Sequence, residues 1–156
     1  MEMYHFVTEW FFEAPVEAVW AEIRDVETWP SWWQDWKKVT PRPQDGVERR
    51  DGVGAILDCE VKGALPYTLR FATTVTVLEP PHLSEYTSSG DLVGGGKWEL
   101  KGVEGGTAVT YHWHVGMSNA IFDFLGKLPF TKKMMAKNHD EVMERGYNGI
   151  KARVED

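Results

Sequence analysis

The sequence predicts an α+β fold: an antiparallel sheet of about seven strands closed by one long C-terminal helix, in the order β-α-α-β-β-β-β-β-β-α. Three observations carry this. Most of the chain up to Val115 reads as β-branched and aromatic runs separated by Gly, Pro and Asp turns. Short hairpin turns join those runs throughout the second half, which makes the sheet antiparallel, one face against the helix and one toward water. The stretch Leu128 to Val154 then changes period. Leu128, Thr131, Met135, Asn138, His139, Val142, Gly146, Gly149 and Ile150 recur at three- and four-residue steps, with Lys132, Lys133, Lys137, Asp140, Glu144 and Lys151 opposite.

The chain's 156 residues suit a single domain, 1–156. Hydrophobic residues make up 42% and charged residues 26%, the balance of a soluble globular protein. Aromatic residues reach 13%, including 8 Trp, enough rings to build a heavy core or to line a site for an apolar guest. A net charge of −7 argues against nucleic acid or an anionic membrane as partner. The lone Cys59 forms no internal disulfide, which suits a reducing cytoplasmic setting. The start MEMYHFVTEW lacks a signal-peptide pattern, and no stretch is apolar enough for a membrane span. Nothing in the residues sets the oligomeric state.

Taken in order, Tyr4 to Glu13 is a strand. Phe6, Thr8, Trp10 and Phe12 point one way; His5, Val7, Glu9 and Phe11 point the other. Ala14-Pro15 ends it, and Pro15 opens a short helix carrying Val16, Val19, Trp20 and Ile23 at helical spacing. Thr28 or Ser31 is a candidate cap for a second short helix. Trp29, Trp32, Trp33 and Trp36 then fall within eight residues. They read as a corner wedged between helices and sheet, as an aromatic lip over a pocket mouth, or as both.

Lys37 to Pro43 resumes an extended path, with Pro41 and Pro43 marking an edge strand. After the turn-rich Gln44 to Gly54, Ala55 to Val61 alternates, with Leu57, Cys59 and Val61 inward. Tyr67 to Glu79 is the longest strand, presenting Leu69, Phe71, Thr73, Val75 and Val77 on one face. Leu83 to Ser89 follows, with Tyr86 a candidate inward residue. Gly94-Gly95-Gly96 opens a strand through Trp98 and Leu100. This glycine run lacks the Lys-Ser/Thr pair and following helix of a phosphate loop, and reads as a bend where the sheet curves. Gly105-Gly106 forms a hairpin. Thr107 to Val115 faces Val109, Tyr111, Trp113 and Val115 inward. The apolar segment before the last helix, with Phe122, Phe124 and Leu125, folds under as a short helix or flap.

Five sets of residues, in this order, carry a resemblance to a known superfamily. They are Ala14-Pro15-Val16 with Val19-Trp20; Trp29-Pro30-Ser31-Trp32; Leu78-Glu79-Pro80-Pro81; Trp98-Glu99-Leu100 with Gly105-Gly106-Thr107 and Val109-Thr110-Tyr111; and Arg145-Gly146 through Ile150. Along essentially its whole length the chain resembles the START-like (SRPBCC) superfamily, in particular its polyketide cyclase/dehydrase and lipid-transport group. The resemblance implies a helix-grip fold, a curved antiparallel sheet around the C-terminal helix with a cavity between them for an apolar or aromatic small molecule. It brings no shared catalytic set.

The residues expected to face such a ligand are Trp33, Leu57, Cys59, Leu69, Phe71, Thr73, Tyr86, Trp98, Tyr111, Trp113, Phe122, Met135, Asn138, His139 and Val142. No cofactor is expected. His112 and His114 share an outer strand face at a metal-compatible spacing with Glu9 or Glu99 nearby, but no third ligand is fixed, so no metal is expected. No nucleophile motif is present, and Cys59 reads as an inert core thiol. Three functions remain open. The leading one is binding of a small hydrophobic or aromatic molecule. The second is a polyketide cyclase- or dehydratase-like enzyme using His139 or Tyr111 to move a proton. The third is a protein-interaction module of the same fold with no cavity.

Overall fold

The computed structural model describes residues 3–47, 51–63, 68–118 and 132–155. Strand β1 (Tyr4–Phe12) leads into helix α1 (Val16–Arg24) and a 3-10 helix (Val26–Ser31). Then come β2 (Trp36–Pro41), β3 (Ile56–Val61), β4 (Leu69–Glu79), β5 (Leu83–Gly90), β6 (Leu92–Val103), β7 (Gly106–Met117) and the long helix α2 (Lys132–Val154). The seven strands form one sheet in the order β1-β7-β6-β5-β4-β3-β2. Every pairing is antiparallel. The two short helices carry the chain from one sheet edge to the other, and hairpins bring it back until β7 pairs with β1. This is the helix-grip fold that the sequence predicts.

Period-2 alternation decides which face of β1 is covered. Trp10 and Phe12 are buried, while Val7 is 63% and Phe11 42% exposed. Several local expectations are corrected. A bulge falls between Val75 and Val77 of β4, so Val75 pairs with Tyr86 but Val77 with Glu85. The extra residue reverses the alternation, placing Leu78 rather than Val77 on the inner side. Thr28 and Ser31 do not cap a helix. They lie inside the 3-10 turn, and their hydroxyls donate to the carbonyls of Asp25 (2.8 Å) and Thr28 (2.6 Å). The β6–β7 turn is Glu104-Gly105, not Gly105-Gly106, and Gly105 takes the positive φ of +84°.

Strand β6 begins at Leu92, before the glycine run. At Gly94 and Gly95 a Cβ would lie 2.1 Å from the His114 carbonyl oxygen and 2.3 Å from that of Tyr86. Neighbouring strands come too close there for any side chain, as a sharply bent sheet requires.

The C-terminal helix is seated by the tryptophan corner. A Cβ on Gly146 would lie 2.4 Å from Cζ2 of Trp33, and one on Gly149 2.5 Å from Cε3 of Trp32. The mid-helix glycines therefore admit two indoles against bare backbone. Trp33 is fully buried, and its Nε1 donates to the Val142 carbonyl of the helix at 3.0 Å. Beside it the buried Asp35 carboxylate accepts two hydrogen bonds from Arg145, at 2.8 and 2.7 Å. Arg153 stacks over Trp32 and donates to Glu22 at 2.6 Å. Met143 and Tyr147, outside the expected stripe, also face inward. Met143 is buried, and the Tyr147 ring stacks on Phe12 at 5.0 Å.

Candidate functional site

Because the helix is held at one end by tryptophans and the sheet bends away, the two do not close fully on each other. A cavity of about 560 Å³ lies between them. Its size falls within the few hundred to a thousand Å³ of small-molecule sites. Strand β3 contributes Leu57 and Cys59 to the wall, and β4 contributes Leu69, Phe71 and Thr73. Tyr86 comes from β5, Trp98 from β6, and Tyr111 and Trp113 from β7. Helix α2 adds Met135, Asn138, His139 and Val142, and the corner adds Trp33. Every expected residue lies on this one wall except Phe122, which is outside the described residues.

Sequence reasoning missed other parts of the wall. Val75 follows from the parity of β4, and Leu78 from that parity once the bulge is known. Trp29 and Trp36 are the inward rings of the corner; Trp32 instead packs outside it, on Gly149. Met143 sits one helical turn beyond His139. Met117 and Leu92, paired across the strands, close the end nearest Met135. The charged lining side chains, Arg24, Asp25, Glu27 and Asp51, come from α1, the turn after it and the segment before β3.

Besides those charged groups and Thr73, Ser84, Ser88 and Asn138, the polar side chains on the wall among the described residues are two tyrosines, Cys59 and His139. The Tyr86 and Tyr111 hydroxyls are hydrogen-bonded to each other. Burial raises the pKa of both, so both stay protonated at neutral pH. His139 lies flat on two rings of the sheet, its centroid 4.2 Å from Phe6 and 5.1 Å from Trp113 with planes 12° apart in each case. Only 7% of it is exposed, and neither ring nitrogen has a hydrogen-bond partner among the described residues. The Asp140 carboxylate stands 3.8 Å from Nδ1, beyond hydrogen-bond distance. Burial drives the His139 pKa down to about 4, against a weaker opposing pull from Asp140. The imidazole is therefore neutral at pH 7.

The Cys59 thiol is buried in the same wall, and desolvation pushes its pKa up to about 12. It is no nucleophile at neutral pH. On the outer face, His112 Nε2 lies 2.9 Å from the Glu99 carboxylate, and His114 stacks across the strand pair on His5. Among the described residues no group of three or more His, Cys, Asp or Glu is placed to hold a metal. Among them, too, no helix is long and apolar enough to cross a membrane.

Solved structures with the same fold include proteins named for cyclase chemistry. The Zhui aromatase/cyclase from Streptomyces sp. R1128 superposes with a TM-score of 0.74 at 18% identity, over 97% of this chain and 93% of that one. The di-domain ARO/CYC BexL from the BE-7585A biosynthetic pathway gives 0.75 at 14% identity. The match takes in 99% of this chain but 50% of BexL, so the chain spans about half of that protein. A START superfamily protein from Mycobacterium smegmatis gives 0.69 at 17% identity, over 98% of this chain and 97% of the other. At these identities the likeness is one of fold. A search of curated protein sequences finds no match. Residues 3–155, nearly the whole chain, match the family model described as polyketide cyclase / dehydrase and lipid transport, and the protein belongs to that family.

Proposed function

We propose that the protein binds a small hydrophobic or aromatic molecule in the cavity between the sheet and the C-terminal helix. The observation that carries this reading is the 560 Å³ space itself, walled mostly by aromatic and aliphatic side chains. A close-packed interior leaves few voids larger than a water molecule. A space this large and this apolar gains most from an apolar guest, which recovers dispersion contacts and removes its own surface from water. Family membership supports the same reading. The test is a thermal-shift screen of protein stripped by organic solvent. A ligand at a hundred times its Kd adds about 2.7 kcal/mol and raises Tm by several degrees. A flat response across lipids, flavonoids and polyketides would remove the proposal.

A second reading, chemistry on the bound molecule, is favoured by the state of His139. A neutral imidazole in an apolar chamber, with no partner for either ring nitrogen among the described residues, is the group placed to take a proton from a C–H acidified by a neighbouring carbonyl, although a pKa near 4 makes it a weak base. The Tyr86–Tyr111 hydroxyl pair is the protonated group nearest in kind to a donor for that carbonyl. If this reading holds, His139→Phe loses turnover while an inert analogue still binds.

A further inference from the structure

Charge is spread unevenly over the cavity wall, and that spread says how a guest enters; the inference rests on the binding reading above. Among the described residues, the lining side chains charged at pH 7 are Arg24, Asp25, Glu27 and Asp51. Every other polar side chain there is neutral. Asn138 is an amide, Thr73, Ser84 and Ser88 are alcohols, and burial keeps the tyrosine pair, Cys59 and His139 uncharged. Exposure divides the wall in the same way. Of the described lining residues, only Ala21, Arg24, Asp25 and Asp51 are exposed. The first three form the last turn of α1 and the residue after it. Asp51 begins the segment that reaches Ala55, where the Gly54 N–H and the Ala55 carbonyl hydrogen-bond to Val75 of β4. Leu92, Met117 and Met135 are buried, in a cluster separate from that of Trp20 and Ile23 of α1.

We infer that the mouth of the cavity lies between the C-terminal end of α1 and the Asp51–Ala55 segment, and that the guest is an amphiphile with one charged or strongly polar end, which enters apolar end first and keeps its polar end at that mouth. A residue that both lines a hollow and meets solvent marks where the hollow reaches the surface. A charged group stopped there keeps much of its hydration, beside one guanidinium and three carboxylates. Carried further in, the same group would leave water for a wall that can hydrogen-bond to it but cannot neutralise it. Neutral hydroxyls or carbonyls along the body of the guest carry no such penalty of charge. The molecule that this arrangement turns away is one charged at both ends.

The route and the orientation are tested separately. Ala21→Cys, Arg24→Cys and Asp51→Cys are each alkylated with a bulky maleimide, and Lys101→Cys, exposed on β6 and outside the lining, is the control. Cys59 is buried and un-ionised, so it stays unlabelled. Stopped-flow fluorescence then follows N-phenyl-1-naphthylamine, a neutral apolar probe that brightens out of water. Labels at the mouth should slow its entry and its exit alike, by about tenfold or more, because they raise the barrier rather than alter the seat. The Lys101 label should change neither rate. A variant that does not fold is set aside, since the other two positions border the same mouth. For orientation, calorimetry at pH 7.5 compares decyltrimethylammonium with decamethonium, and 2-naphthoate with 2,6-naphthalenedicarboxylate. In each pair the singly charged probe should bind about tenfold or more tightly, because the second charge of its partner has to leave water. The pairs carry opposite signs, so the net charge of −7 cannot favour the singly charged member of both. Unslowed exchange with the mouth labelled, or a doubly charged probe bound as tightly as its partner, would overturn the inference and leave the cavity reading intact. Failure of every probe to bind would remove both.

Discussion

Burial of His139 ties the stability of the fold to pH. Its folded-state pKa of about 4 lies below the ordinary 6.5, so the unfolded chain takes up the proton first as pH falls. Its contribution is full above about pH 6.5 and is lost as pH drops toward 4. The loss is about 3 kcal/mol at the lower end. In His139→Phe, which keeps a ring over Phe6 and Trp113, urea unfolding should show a shallower loss between pH 7.5 and 4.5. A slope equal to the wild type's would mean that the imidazole is not desolvated. The mid-helix glycines give a second single-residue prediction. Replacing glycine by alanine ordinarily adds about 1 kcal/mol to a helix. At Gly146 the new methyl meets the fully buried Trp33 ring, held in turn by its bond to Val142. Gly146→Ala should therefore lose about 2 kcal/mol net, in the range of overpacked cores. Gly149→Ala should lose less, because Trp32 is only half-buried and has room to yield. Denaturant midpoints of the two variants measure the ranking.

Between elements, the seat of α2 on the corner depends on Asp35 and Arg145. Removing the arginine leaves a buried carboxylate without its partner. Arg145→Met should cost about 3 kcal/mol, and Asp35→Asn made together with it should return part of that. A double-mutant cycle reads the coupling. Element order, most strand faces and the place of Gly146 and Gly149 on the inner helix stripe were legible in the sequence, because each rests on a period. The β4 bulge was not. It depends on how β4 and β5 slide past each other around the bend, and no residue in Val75-Thr76-Val77 marks it. The 3-10 turn was mistaken for a capped helix because Thr28 and Ser31 carry the same hydroxyls whether they cap or back-bond. Met143 escaped because a helix gripped by a sheet and a corner together buries a wider arc than a one-sided stripe.

For the molecule as a whole, the wall residues were readable from strand parity and helix period, but the volume was not. Whether inward side chains meet or stand apart depends on how far the sheet bends at Gly94 and Gly95 and on the tilt set at Gly146; the glycines mark both places but not the size of either angle. The volume supplies its own test. Leu57→Trp adds a large ring to the wall of the hollow. Binding of an apolar probe should fall at least about tenfold, the scale set by blocking shape complementarity. Tm should hold or rise, since filling a void restores contacts. A fall in Tm with unchanged affinity would show that position 57 does not adjoin the bound molecule. The indoles of Trp29, Trp33, Trp36, Trp98 and Trp113 all border this space. The protein therefore carries its own optical gauge. An ultraviolet-absorbing passenger inside should dim their emission by energy transfer, so loading and unloading are visible in real time without any attached dye.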